Sequence, residues 1–186
     1  MSPTERKKKE KRAEGIMSPR ERRAADFLKK LGLVVKKRPE GAEKSPDFDV
    51  TASDGFYFLS ETKAVVGGEN EPLLWQELYN AITSDIREAA KQFDSVNSTR
   101  LVPNVLILVS EDFRFREQSF IDFLKGEIII EGKLLADLRR YRLGRVKPAF
   151  SRIDLFLLLD KGNTPSLFFV DNDPRFLVKL RAIFHV

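Results

Sequence analysis

Apolar positions along the chain fall into short alternating runs and helix-spaced stripes. Ser18-Pro19-Arg20-Glu21 opens a first helix: Ser18 suits the N-cap, Pro19 the first helical position, and Glu21 completes a capping box. Ala24, Phe27, Leu28 and Leu31 form its buried stripe and Gly32 ends it. Leu33-Val34-Val35 begins a strand that Lys36-Lys37-Arg38 extends into a polar loop, Pro39 to Ser45. Two strands follow, around Phe48–Ala52 and Phe56–Ala64, and Gly67-Gly68-Glu69-Asn70 breaks the pattern. Pro72 opens a long helix to about Phe93, with Trp75, Leu78, Ile82, Ile86, Ala89 or Ala90, and Phe93 as core face and Asn80, Ser84, Arg87 and Lys91 as a polar stripe. The continuous run Asn104–Ser110 predicts a strand buried on both faces. Phe115–Lys125 predicts a helix stopped by Gly126, Glu127–Glu131 a short strand or a helix approach, and Lys133–Leu143 a helix. Ile153–Leu159 and Ser166–Val170 predict a closing hairpin, and Asp173-Pro174 caps a last helix bearing Phe176, Leu177, Leu180 and Phe184. The order αβββαβ, then helices and a hairpin, predicts an α/β fold: a mixed sheet flanked by helices.

The second and third strands carry charges in unusual places, and the loop between them decides which charges meet. A two-residue Asp54-Gly55 turn would set Asp47 against Thr62 and put Glu61 on the face of Phe48. A three-residue loop, Ser53-Asp54-Gly55 with Gly55 left-handed, pairs Ala52 with Phe56 and Asp47 with Glu61. Only the second arrangement sorts the hairpin: Phe48, Val50, Ala52, Phe56 and Phe58 on one face, and Asp47, Asp49, Thr51, Tyr57, Leu59, Glu61 and Lys63 on the other.

Carboxylates placed opposite each other repel, and a divalent cation removes the repulsion. Mg²⁺ takes oxygen ligands with only one or two protein carboxylates, so Asp47 and Glu61 suffice, and the Thr62 carbonyl offers a third protein ligand. Lys63 points the same way as Glu61 and could orient or help deprotonate a water on that cation. The plainer reading is a solvated hairpin face on which Lys63 makes an ordinary surface ion pair with Asp47 or Glu61.

Pro46-Asp47, thirteen residues, then Glu61-Thr62-Lys63 resembles the PD-(D/E)xK nuclease superfamily, the restriction-endonuclease-like proteins. The resemblance covers roughly residues 18–110 and includes the order of elements. It implies a restriction-endonuclease-like core, Mg²⁺ (or Mn²⁺ in its place) on Asp47 and Glu61, and Lys63 assisting the attacking water. It also implies phosphodiester hydrolysis of nucleic acid, DNA before RNA, in restriction, repair or anti-phage defence. Related nucleases often carry an acid in the first helix near the metal, which makes Glu21 a candidate; the capping box accounts for Glu21 without chemistry and is preferred. Related folds also place polar or basic residues of the long helix near the scissile phosphate, where Arg87 and Lys91 fall; a solvated face is the safer reading for both. The Gln-x-x-x-Tyr signature of the RecB-like branch is missing, since Gln76 and Tyr79 stand three apart. The competing function is a non-catalytic nucleic-acid-binding or assembly module that keeps the fold, with homodimerisation open in either case.

Composition narrows the chemistry further. No cysteine is present, and the lone His185 leaves neither thiolate nor multi-histidine metal sites and makes a Ser-His-Asp triad a poor candidate. No apolar run approaches the ~18 residues of a membrane span, and the charged N-terminus lacks an apolar signal region, so the cytoplasm is the default expectation. The net charge of +5 is uneven: six basic and two acidic residues within residues 1–12 account for +4, leaving +1 elsewhere. Residues 1–17 read as a disordered basic tail, either a nucleic-acid arm or a solubilising extension with Met17 as an alternative start, and residues 18–186 as one domain. In the folded part Arg139, Arg140, Arg142, Arg145, Lys147 and Arg152 cluster with no acid between Leu138 and Ile153, either as phosphate contacts or as a solvated face.

Overall fold

A computed structural model describes residues 17–39, 44–66, 75–111, 115–125, 127–130, 133–137, 144–160 and 165–185. Helix α1 spans Pro19–Lys30, and both capping-box bonds form: the Glu21 N–H donates to Ser18 Oγ at 3.3 Å and the Ser18 N–H to Glu21 Oε2 at 2.7 Å. Strands β1 (Val34–Lys37), β2 (Phe48–Thr51) and β3 (Tyr57–Val65) form an antiparallel meander. Helix α2 (Trp75–Asn97) returns the chain so that β4 (Asn104–Ser110) lies parallel to β3. Helix α3 (Glu117–Lys125), strands β5 (Glu127–Ile130) and β6 (Lys133–Asp137) and helix α4 (Gly144–Phe150) precede β7 (Leu155–Leu159), which pairs parallel to β4. Strand β8 (Pro165–Phe169) closes an antiparallel hairpin with β7, and α5 (Pro174–Ile183) follows, N-capped by Asp173.

The main sheet is six-stranded and mixed, in the order β1-β2-β3-β4-β7-β8; β5 and β6 form a separate two-stranded sheet. Helices cover both faces. Ala24, Ala25 and Leu28 of α1 and Leu180 of α5 pack on Phe48, Val50, Phe58, Val105, Ile107, Leu155 and Leu157. Leu78, Ile82, Ile86 and Phe93 of α2, with Phe120 of α3 and Val146 of α4, pack on Leu59, Leu106, Leu108, Phe156 and Leu158. All seven residues of β4 are buried, the signature of a central strand covered on both sides. At the start of β4, Asp154 accepts the Asn104 N–H at 2.9 Å and pairs with Arg100, fastening the end of α2 to the sheet.

Three expectations change. Lys133–Leu143 is not a helix where described: Lys133–Asp137 is a strand, antiparallel to Glu127–Ile130. Leu134, Leu135 and Leu138 are spaced as on a helix, but the β-branched run Ile128-Ile129-Ile130 is a ready strand, and Lys133–Asp137 pairs with it. Helix α2 runs four residues past Phe93, and α4 forms where the sequence signals only a basic stretch. The tail, the Gly67–Asn70 break, Pro72, Gly126 and Arg139, Arg140 and Arg142 lie outside the described residues, as do the side chains of Trp75, Gln76 and Arg145.

Candidate active site

The hairpin of β2 and β3 takes the register that patterning favours. Val50 pairs with Phe58 and Phe48 with Ser60, which continues to Asp47 opposite Glu61. The Gly55 N–H donates to Ala52 C=O at 2.9 Å and the Ala52 N–H to Phe56 C=O at 2.8 Å, closing a three-residue loop with Gly55 at φ +82°.

That register has a chemical consequence at its far end. Ladder bonds fall on alternate pairs, so after Ala52/Phe56, Val50/Phe58 and Phe48/Ser60 the next would join Pro46 and Thr62. Pro46 has no N–H, so the ladder offers the Thr62 carbonyl no donor. The Thr62 N–H turns instead to Asp47 Oδ2, at 2.9 Å, and the Asp47 N–H donates to Glu61 Oε2 at 3.1 Å. One oxygen of each carboxylate is thereby pinned by a backbone N–H of the opposite strand. The remaining oxygens meet ammonium groups. Lys63 Nζ lies 3.0 Å from Glu61 Oε1, and Lys37 Nζ lies 3.2 Å from Asp47 Oδ1.

Helix α2 closes the site from one side. Lys63 Nζ also donates to Gln92 Oε1 at 3.0 Å and lies 3.4 Å from Glu88 Oε2. Gln92 Nε2 donates to the Ser45 carbonyl at 3.2 Å, which anchors the segment leading into Asp47. Helix α1 closes the other side: Glu21 Oε1 accepts from Lys37 at 2.7 Å, while its Oε2 serves the capping box. The capping reading of Glu21 therefore holds, and the same carboxylate also faces the site through Lys37.

The surface-pair reading of Lys63 does not survive burial. The Glu61 side chain is 3 % exposed and that of Lys63 12 %. Burial, and then the charge of Asp47, push the Glu61 carboxyl up to about 7 despite Lys63 beside it. Burial also raises Asp47, partly offset by Lys37. Burial pulls Lys37 downward, but its hydrogen bond to Glu21 and the charges of Asp47 and Glu21 outweigh it and hold it above the ordinary lysine range. Glu21 is lowered: burial pushes it up, but the Lys37 and Ser18 bonds outweigh that. Asp49, on the same face in the sequence pattern, is taken up elsewhere by Arg38 at 2.8 Å and by the Tyr57 hydroxyl, whose own pKa rises to about 12 through burial and that carboxylate.

These residues fit a hard divalent cation. Burial raises both carboxylates and Asp47 raises Glu61 further, a backbone carbonyl is left without a ladder donor, and the groups on the remaining oxygens are lysine ammoniums rather than backbone. Among the described residues no group of three or more His, Cys, Asp or Glu is placed to hold a metal ion, so Glu21 does not complete a carboxylate cage. Mg²⁺ does not need one, since it keeps several waters.

Of the candidate phosphate contacts, Arg87 and Lys91 lie on α2. With Lys44, Ser84, Glu88 and Gln92 they line a groove of ≈ 460 Å³ that adjoins Lys63. In the second cluster Lys147 is exposed, while Arg152 pairs with Asp94 at 3.1 Å and so has a structural partner. Sequence reasoning missed Lys37, Gln92, Glu88 and Lys44. A signal existed for Lys37: strand alternation puts it on the apolar face of Val35, where a lysine needs a partner. Among the described residues no helix is long and apolar enough to cross a membrane. Compared with protein-family models, with curated proteins and with solved structures, the chain finds no match in any of the three.

Proposed function

We propose that this chain is a metal-dependent nuclease of the restriction-endonuclease-like kind, hydrolysing phosphodiester bonds in nucleic acid, with DNA the first substrate to test. The observation that carries the reading is one constellation: Asp47 and Glu61 adjacent across a hairpin, both raised by burial and Glu61 raised further by Asp47, with Lys63 at 3.0 Å from Glu61. Burying Glu61 beside Asp47 at the point where Pro46 ends the ladder costs free energy that uncharged residues would avoid in a purely structural hairpin.

In this reading Asp47, Glu61 and the Thr62 carbonyl hold Mg²⁺, with Mn²⁺ able to replace it. The chemistry that the cation supplies when bound is a water of lowered pKa and positive charge beside the phosphodiester. Lys63 orients the attacking water, and Gln92 fixes the Lys63 ammonium against α2. Lys44, Arg87 and Lys91 line the adjoining groove and draw the phosphate backbone toward Lys63. Glu88, between Lys44 and Lys63, keeps that groove from being uniformly basic.

Calorimetric titration with Mg²⁺ or Mn²⁺, followed by cleavage assays on plasmid, single-stranded and branched DNA, tests the reading. Divalent binding that requires Glu61, with cleavage of at least one substrate, is the expected result. Tight nucleic-acid or protein binding with no cleavage in either metal would transfer the site to a non-catalytic module.

A further inference from the structure

We propose that Lys37 is a resident counter-ion of the metal site, occupying Asp47 when no cation is bound and withdrawing onto Glu21 when one arrives. The proposal rests on the reading of Asp47 and Glu61 as metal ligands. Lys37 Nζ bridges two carboxylates, 2.7 Å from Glu21 Oε1 and 3.2 Å from Asp47 Oδ1. All three side chains are nearly enclosed, at 11 %, 12 % and 15 % exposure. An ammonium group and a divalent cation cannot share Asp47 Oδ1 in so dry a place, because their repulsion is poorly screened. The shorter distance shows which carboxylate anchors the lysine.

Glu21 is suited to be that anchor. Its other oxygen is held by the Ser18 N–H at the N-cap, so it presents a fixed acceptor. The Phe48 ring, 5.4 Å from the ammonium, supports it from below without competing for Asp47. Charge balance favours the exchange. Glu21, Asp47, Glu61 and Glu88 against Lys37, Lys63 and Lys44 leave one net negative charge when all are ionised, a modest excess that welcomes a cation only if Lys37 yields its place.

The roles of Lys37 and Glu21 are therefore opposite in sign, though neither touches the cation. Removing Lys37 opens Asp47 and tightens divalent binding. Removing the Glu21 charge leaves Lys37 with Asp47 alone and weakens it. A Glu21 that ligated the ion directly would also weaken binding when removed, so the double variant decides between the two.

The test is calorimetric titration of the full chain with Mn²⁺, at fixed pH and ionic strength, for wild type, Lys37→Gln, Glu21→Gln and the double variant. Glutamine at 37 keeps hydrogen-bonding capacity without charge; Lys37→Met serves if that variant does not fold. The expected pattern is a dissociation constant lowered on the order of tenfold by Lys37→Gln, raised by Glu21→Gln, and lowered in the double variant as in Lys37→Gln alone. Without metal, Lys37→Gln should melt below wild type, and saturating Mn²⁺ should restore it beyond the wild-type gain. Unchanged or weaker binding in Lys37→Gln, while wild type binds, overturns the exchange and leaves the nuclease reading standing. A double variant as weak as Glu21→Gln makes Glu21 a ligand and overturns it too. Absence of Mn²⁺ binding in every variant removes the metal site itself.

Discussion

Asp47 does more than one job because Pro46 precedes it. Without a proline N–H the ladder gives the Thr62 carbonyl no donor, and beside that break the Asp47 side chain accepts the Thr62 N–H. Its charge is the costly part, since burial raises its carboxyl and Glu61 stands beside it. Asp47→Asn keeps an acceptor for Thr62 and removes the repulsion. In metal-free protein it should be neutral or stabilising by up to about 1 kcal/mol in urea unfolding, while abolishing divalent binding. A destabilisation of several kcal/mol would mean that the Lys37–Asp47 pair is structural.

Glu61 gives a pH test at the same scale. Its carboxyl sits at about 7 in the folded chain against an ordinary 4.5. Between those values the folded state holds a proton that the unfolded state has released, so stability is greatest below the window and falls as pH rises through it. Metal-free protein should become less stable by roughly 1–3 kcal/mol between about pH 5 and about pH 8 from this group, and Glu61→Gln should flatten the slope. A slope that persists unchanged in Glu61→Gln assigns it elsewhere, with buried Asp154, raised in the same direction by its burial, the first alternative.

At the scale of elements, the hairpin was legible because a one-residue slip would have mixed its faces. Gly55 at φ +82° holds that register, with open space where a Cβ would stand. Gly55→Ala should therefore cost about 1–2 kcal/mol from backbone strain alone, with divalent affinity kept, as seen by parallel unfolding and titration. Weakened affinity at unchanged stability would mean the register shifts. The capping box of α1, the buried run of β4 and the β7–β8 hairpin were legible for the same reason, local signals agreeing with the final packing. The Lys133–Asp137 strand was not, because a helix-like leucine spacing competes with a partner strand that only the tertiary structure supplies. Lys37 and Gln92 were hidden differently. Each is a single polar residue whose partner is distant in sequence, 16 residues away for Lys37 with Glu21 and 29 for Gln92 with Lys63.

For the whole molecule, charge placement matters more than net charge. The groove with Lys44, Arg87 and Lys91 borders Lys63, whereas Arg152 is held by Asp94. Charge reversal at Arg87 and Lys91 should weaken nucleic-acid affinity and reduce the salt slope by about 1 for each phosphate that is no longer neutralised. Titrations at several salt concentrations read this, and an unchanged slope returns both residues to a solvated face. The same titrations on Arg139, Arg140 and Arg142 variants, and on a chain lacking residues 1–12, show whether those basic stretches add to the groove or act without it.

The most direct test compares single-turnover cleavage by wild type and Lys63→Ala, with enzyme in excess so that product release does not mask the chemical step. Lys63 touches Glu61, Glu88 and Gln92, so its removal should leave the fold and the cation ligands in place. Lys63→Ala should cut about 10²–10⁴-fold more slowly, with Mn²⁺ and nucleic-acid binding retained. A Lys63→Ala chain that cuts as fast as wild type would contradict the role of Lys63 in catalysis.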